Sequence, residues 1–301
     1  MAGQVIDGGR NDVIESGPRR RWSGLVVTGV LVALVGIPVV GLLANREPAE
    51  PPPQPSRPLP SSPAPVSEER RANYLLPKTS RSGDRRILHV TFPDGTRARV
   101  SYPAGVTLAE FGVRPAIGVR AVEGGPIYPL VAPLLGQNGS SAGGPMLRRL
   151  TDDVGLWPKR AVRGRGYLMV FDFGKWTISL SDPIEGGPTF EQRMDLAQRL
   201  HGRTDKRGYL VLRAGDPVRL ARPDELIGSV TFGPQLWFGG GTRPLVVFVL
   251  SPDCGADSPA PPRVDARRYV AVACKGDVQV AVVSGREYAD RLLSGLRIEL
   301  I

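Results

Sequence analysis

Between Arg21 and Arg46 the chain carries no charged residue, and the run Trp22–Asn45 is almost wholly apolar. About 20 apolar residues in a helix cross a hydrocarbon layer of about 30 Å. Helix is required there because lipid offers no partner for a free backbone N–H or C=O. The run therefore predicts a transmembrane helix over 22–45, kinked at Pro38, with Trp22 at the interface. Arg10, Arg19, Arg20 and Arg21 precede the run and only Arg46 follows it closely. The positive-inside rule then predicts residues 1–21 as a cytoplasmic tail and a C-terminal domain outside the cytoplasm. A cleaved signal peptide needs a shorter apolar region and a small-residue cleavage site. Here the best cut would use Leu42 and Ala44, a poor match, so the segment reads as an uncleaved single-pass anchor.

Proline dominates the chain after the apolar run. Glu47–Val66 contains Pro51-Pro52-Pro53 and further prolines at nearly every second position. Proline fixes φ and removes a donor, so the stretch favours extended polyproline II. At about 3.1 Å per residue, about twenty residues reach on the order of 60 Å. A proline-rich ligand for a recognition module is the sharper reading. A spacer fits its place beside a membrane segment. Ser67–Arg86 continues polar and arginine-rich, so 46–86 is read as one linker.

Residues 87–301 carry the folding signals. Ile87–Phe92 and Thr96–Tyr102 flank Asp94-Gly95 and predict a hairpin, with Ala98, Val100 and Tyr102 on one face. Gly166–Asp172 and Lys175–Ser181 predict a second hairpin around Phe173-Gly174. Thr189 with Gln192 makes a capping box for a helix stopping near Gly202, and Ser284 with Glu287 makes another. Further strands are expected over 209–213, 218–221, 227–232, 245–250, 269–274 and 278–283, with 297–301 as a closing strand. The expectation is an α+β protein: a β-rich extracytoplasmic domain with two or three short helices, and a lobe boundary, if any, in the Gly/Ser/Asn-rich loop 136–145.

The net charge is +10, and lysine appears only at Lys78, Lys159, Lys175, Lys206 and Lys275. Arginine-rich, lysine-poor usage fits a GC-rich bacterial genome. The arginines are scattered, with no basic helix and no aromatic-rich strand of the RNA-binding type, so nucleic acid is not the expected partner. A basic surface outside the membrane instead points to an envelope protein or an anionic wall polymer. Cys254 and Cys274 are the only cysteines, and two cysteines in an oxidising compartment predict a disulfide.

Catalytic signals are sparse. Gly139-Ser140-Ser141-Ala142-Gly143 fits G-x-S-x-G, which would make Ser141 a nucleophile with His201 as its base. A nucleophile elbow needs a strand before the serine and a helix after it, and Pro145 intrudes; no His-Gly-Gly oxyanion motif occurs. His201 reads as a helix C-terminal residue meeting the last carbonyls, and His89 as a packing residue within a strand. Two distant histidines without C-x-x-C or H-E-x-x-H predict no metal site, and no cofactor is implied. Gly239-Gly240-Gly241 lacks the lysine of a phosphate loop and reads as a hairpin connection, with Trp237-Phe238 before it as core or a stacking platform. The expected function is a membrane-anchored interaction or scaffolding domain of the cell envelope without catalysis. The alternatives are an envelope serine hydrolase and a wall- or carbohydrate-binding module.

Overall fold

Alternation sets the first sheet. In a computed structural model of the protein, which describes residues 73–134, 145–159, 166–183, 186–223, 225–227, 230–255, 258 and 270–301, Leu88 and Val90 of β2 (Arg85–Thr91) stand opposite Val100 and Ala98 of β3 (Arg97–Pro103). These four side chains and Tyr102 are fully buried. The predicted Asp94-Gly95 turn is present, with Gly95 at φ 97° and the Asp94 carboxylate accepting from the Thr96 N–H. β1 (Thr79–Ser82) joins β2 through a tight turn at Gly83, and β19 (Arg297–Leu300) pairs with β3. The sheet order is β1-β2-β3-β19. Strand structure thus begins upstream of Ile87, inside the stretch whose sequence reads as linker.

An eleven-stranded sheet holds most of the remaining chain. Its order is β17 (Val270–Cys274), β18 (Val278–Val283), β16 (Leu245–Leu250), β15 (Gln235–Gly239), β4 (Val113–Arg120), β5 (Ile127–Val131), β9 (Trp176–Pro183), β8 (Gly166–Phe173), β7 (Val154–Pro158) and β6 (Arg148–Thr151). The short β12 (Arg219–Leu220) lies against β4. β10 (Leu200–Thr204) with β11 (Leu210–Ala214), and β13 (Leu226–Ile227) with β14 (Val230–Thr231), make two separate hairpins. β4 is the hub: its first half pairs with β15 and its second half with β5.

Two large cores result. One, with Leu88, Val100, Phe238, Phe248 and Val280, lies between the four-stranded sheet and the β15–β16–β18 strands. The other, with Ile117, Leu130, Phe171, Trp176 and Leu210, gathers the β5–β9–β8 strands and the β10–β11 hairpin. Each fully buried Leu, Val or Phe contributes about 1.5–3 kcal/mol relative to exposure, so the cores carry the fold. The strands flanking loop 136–145 both feed the second core through Leu130 and Leu150, while the loop itself lies mostly outside the described residues.

Two helices cover sheet faces. α1 (Phe190–Arg199) starts at the predicted capping box: the Thr189 hydroxyl accepts from the Gln192 N–H at 3.3 Å, and the Thr189 N–H donates to the Gln192 side chain at 3.0 Å. It stops at Leu200, two residues before Gly202, because the chain passes directly into β10. α2 (Arg286–Gly295) has Gly285 as its N-cap and no side-chain cap bond, so the box predicted for Ser284 does not form.

The α+β assignment is corrected by this arrangement. Of the described residues 51% are strand and 12% helix, a mainly β architecture with two short helices. Two capping boxes carry that class in the sequence, but a cap marks where a helix starts and not how much of a fold is helical. No helix among the described residues is long and apolar enough to cross a membrane; the predicted transmembrane segment 22–45 lies outside them. So does the linker as far as residue 72.

Candidate binding cleft

The first described residues form a strap. The Asn73 side chain, nearly fully buried, donates to the Pro133 and Thr177 carbonyls and accepts from the Thr177 N–H. Leu75 makes a two-bond antiparallel bridge with Val113 at the start of β4. The chain then crosses Pro77 and enters β1, so 73–82 runs from the large sheet to the edge of the small one.

The β10–β11 turn approaches this strap from the other side. Asp205 shapes it: one carboxylate oxygen accepts from the Arg207 and Tyr209 N–H groups at 2.8 and 2.9 Å, and the other from the Thr91 hydroxyl at 2.8 Å. Gly208 sits at φ 97°, where a Cβ would lie 2.7 Å from Lys175 Nζ and 3.0 Å from Leu75. The tight turn therefore fixes Lys206, Arg207 and Tyr209 beside the strap.

Between them lies a cleft of about 480 Å³, lined by Leu75 to Ser80, Ile87, His89, Lys206, Arg207 and Tyr209. Lys78, Lys206 and Arg207 bring three cations to it, and no carboxylate is among its lining residues. Asp205, the nearest acid along the chain, is already bonded within the turn. Leu75, Leu76, Pro77 and Ile87 make an apolar wall, with Leu76 59% exposed.

Two polar atoms here are buried without a hydrogen-bond partner: His89 Nδ1 and the Tyr209 hydroxyl. Tyr209 as a residue is 2% exposed, and burial, with Asp205 adding to it, pushes its pKa up, so it stays a neutral hydroxyl. A buried polar atom left unpaired costs about 1–3 kcal/mol. Neither atom is exposed to the cleft, so the groups it offers a ligand are Lys78, Lys206 and Arg207 beside the apolar wall. Chemically the cleft suits binding of a negative group.

Other predicted residues are dispersed. Cys254 and Cys274 are joined in a disulfide, with Cα atoms 5.6 Å apart, tying the loop after β16 to the end of β17. Ser141 lies outside the described residues. His201 is exposed and belongs to β10 opposite Arg213, not to a helix C-terminus. Among the described residues no group of three His, Cys, Asp or Glu could hold a metal ion. Gly240 and Gly241 lie in the connection of the β15–β16 hairpin, as the sequence predicts, while Gly239 closes β15 opposite Leu245. Phe238 is core, while Trp237 is half-buried and its ring centroid lies 5.5 Å from the Arg114 guanidinium. Arg114 itself is buried, bonds the Ala132 and Gly239 carbonyls at 2.7 and 3.3 Å, and has its pKa lowered to about 10 by burial.

Sequence patterns do not reveal the cleft. Its residues come from the strap with the β1–β2 hairpin and from the distant β10–β11 turn, Lys78 lies in the stretch that reads as linker, and His89 reads as a packing residue. The only sequence signal for it is that two of the five lysines, Lys78 and Lys206, fall at its rim. Comparison with known proteins gives no match to a family model, a curated protein or a solved structure.

Proposed function

We propose that this chain is a non-catalytic interaction domain of the bacterial cell envelope, and that its β-rich domain recognises an anionic partner through the basic cleft. In this reading the apolar segment 22–45 holds the chain in the membrane with residues 1–21 inside. The proline-rich stretch then acts as a spacer. The single observation that carries the binding role is the convergence of three cations, with no carboxylate among the lining residues, in one cleft with an apolar wall. The Cys254–Cys274 disulfide supports an oxidising location, since such bonds are rare in reducing cytosol.

Hydrogen–deuterium exchange on the full-length chain in detergent tests the location of binding, with inorganic polyphosphate as the polyanion. The expected result is added protection over 75–80 and 205–209. Protection elsewhere only, or none, contradicts the reading.

A further inference from the structure

The cleft opens at one end onto a sheet edge. β1 is the terminal strand of the four-stranded sheet, and all four of its residues are exposed. Its hairpin with β2 closes over Gly83 and Asp84, with Gly83 at φ 61° and Ser82 opposite Arg85. A two-residue turn with glycine first makes the flanking pair a hydrogen-bonded one. Pairs then alternate along the ladder, so Ser82 and Ser80 bond to β2 while Thr79 and Arg81 turn their N–H and C=O groups outward. Among the described strands none pairs with that side.

Thr79 and Ser80 line the cleft as well as forming the edge. A strand laid along β1 would therefore have its backbone satisfied by Thr79 and Arg81 and one end over Lys78, Lys206 and Arg207. No ion pair engages Lys78, Arg81, Lys206 or Arg207 among the described residues. The charges also select the occupant. A second copy of β1 would bring Arg81 and Lys78 against their own kind, which is unfavourable for directly opposed strands. An acidic strand would meet opposite charge along its length. Edge strands commonly carry basic residues that deter self-pairing, and here the same residues discriminate in favour of an acid partner.

We infer that the cleft and the β1 edge together bind an extended acidic peptide segment of a partner protein, added as a fifth strand beside β1, with an acidic side chain seated among Lys78, Lys206 and Arg207. The inference rests on the anion-binding reading of the cleft and narrows it to a peptide. In strand addition the main-chain bonds supply affinity and a side-chain pocket supplies specificity.

The test measures fluorescence anisotropy of labelled hexapeptides with the full-length chain in detergent. A peptide alternating Glu and Val is compared with the same peptide N-methylated at alternate backbone nitrogens, with its Lys-for-Glu counterpart, and with unlabelled inorganic polyphosphate as competitor. The Glu/Val peptide binds, N-methylation weakens it about tenfold or more through the lost main-chain bonds, and the Lys peptide does not bind. Thr79→Pro, which removes an outward donor and leaves the three cations in place, reproduces the loss seen on N-methylation. If polyphosphate binds but the plain peptide does not, or binds no better than its N-methylated form, strand addition is wrong and the anion-binding reading stands. If neither peptide nor polyphosphate binds, both are wrong.

Discussion

Asn73 and Thr177 form a reciprocal clasp. The Asn73 Nδ2 donates to the Thr177 carbonyl at 2.6 Å, and the Thr177 N–H donates back to Asn73 Oδ1 at 3.0 Å. A side-chain amide thus takes the place of a strand partner on β9 beyond the reach of β5, whose pairing with β9 covers only Leu130–Leu180 and Val131–Ser179. The same amide bonds the Pro133 carbonyl at 3.0 Å. Asn73→Ala leaves buried backbone groups unpaired and should cost about 2–3 kcal/mol. Chemical denaturation of the full-length chain measures it. Because the clasp positions the strap, the same substitution should also weaken polyanion binding.

The Glu225 carboxylate gathers Arg219, Arg120 and the Arg222 N–H at the β4–β12 edge. Hydrogen bonds from Arg219, the largest influence, with help from the Arg222 N–H, lower its pKa from 4.5 to about 2. A depressed carboxylate pKa stabilises the fold above the unfolded value and loses that contribution as pH falls. The contribution of Glu225 is therefore complete above about pH 4.5 and disappears towards pH 2. Glu225→Gln should lower stability at pH 7 by about 1–3 kcal/mol. It should also flatten the pH dependence between 4.5 and 2, which thermal melts across that window would show. An unchanged slope contradicts the assignment.

The Cys254–Cys274 bond closes a loop with a sequence separation of 20. In the chain-entropy account such a loop adds about 3 kcal/mol. Both cysteines should resist alkylation until a reductant is added, and reduction should lower the denaturation midpoint. Free thiol in the untreated protein would contradict both the bond and the oxidising location.

Membrane orientation has its own readout. A reporter active only outside the cytoplasm should report when fused after Val66 and stay silent when fused after Gly17. The reverse pattern would overturn the positive-inside argument.

Local signals are legible in the sequence and distant ones are not. The Asp94-Gly95 hairpin and the Thr189 cap are written in adjacent residues and sit where the sequence places them, while the second hairpin turns at Gly174-Lys175, one residue beyond Phe173-Gly174, because Phe173 pairs with Trp176. The strap 73–82 reads as linker because arginine, serine and proline mask a strand whose four residues are all exposed. β15 is hidden because the three glycines after Trp237-Phe238 signal a loop more strongly than the short run before them signals a strand. The cleft depends on the β10–β11 turn meeting the strap across more than a hundred residues, a relation that no local spacing encodes.

Reversing the charges of Lys206 and Arg207 tests anion binding by the cleft most directly. Lys206→Glu/Arg207→Glu changes two exposed turn residues, so folding should persist. Arg213→Glu/Arg243→Glu, at exposed positions away from the cleft lining, matches the change in net charge. Polyphosphate affinity of the full-length chain, measured by calorimetry at low and physiological salt, should fall about tenfold or more in the cleft pair. It should change far less in the Arg213/Arg243 pair. Equal losses in the two variants would mean that net charge alone attracts the polyanion, and the cleft would lose its assigned role.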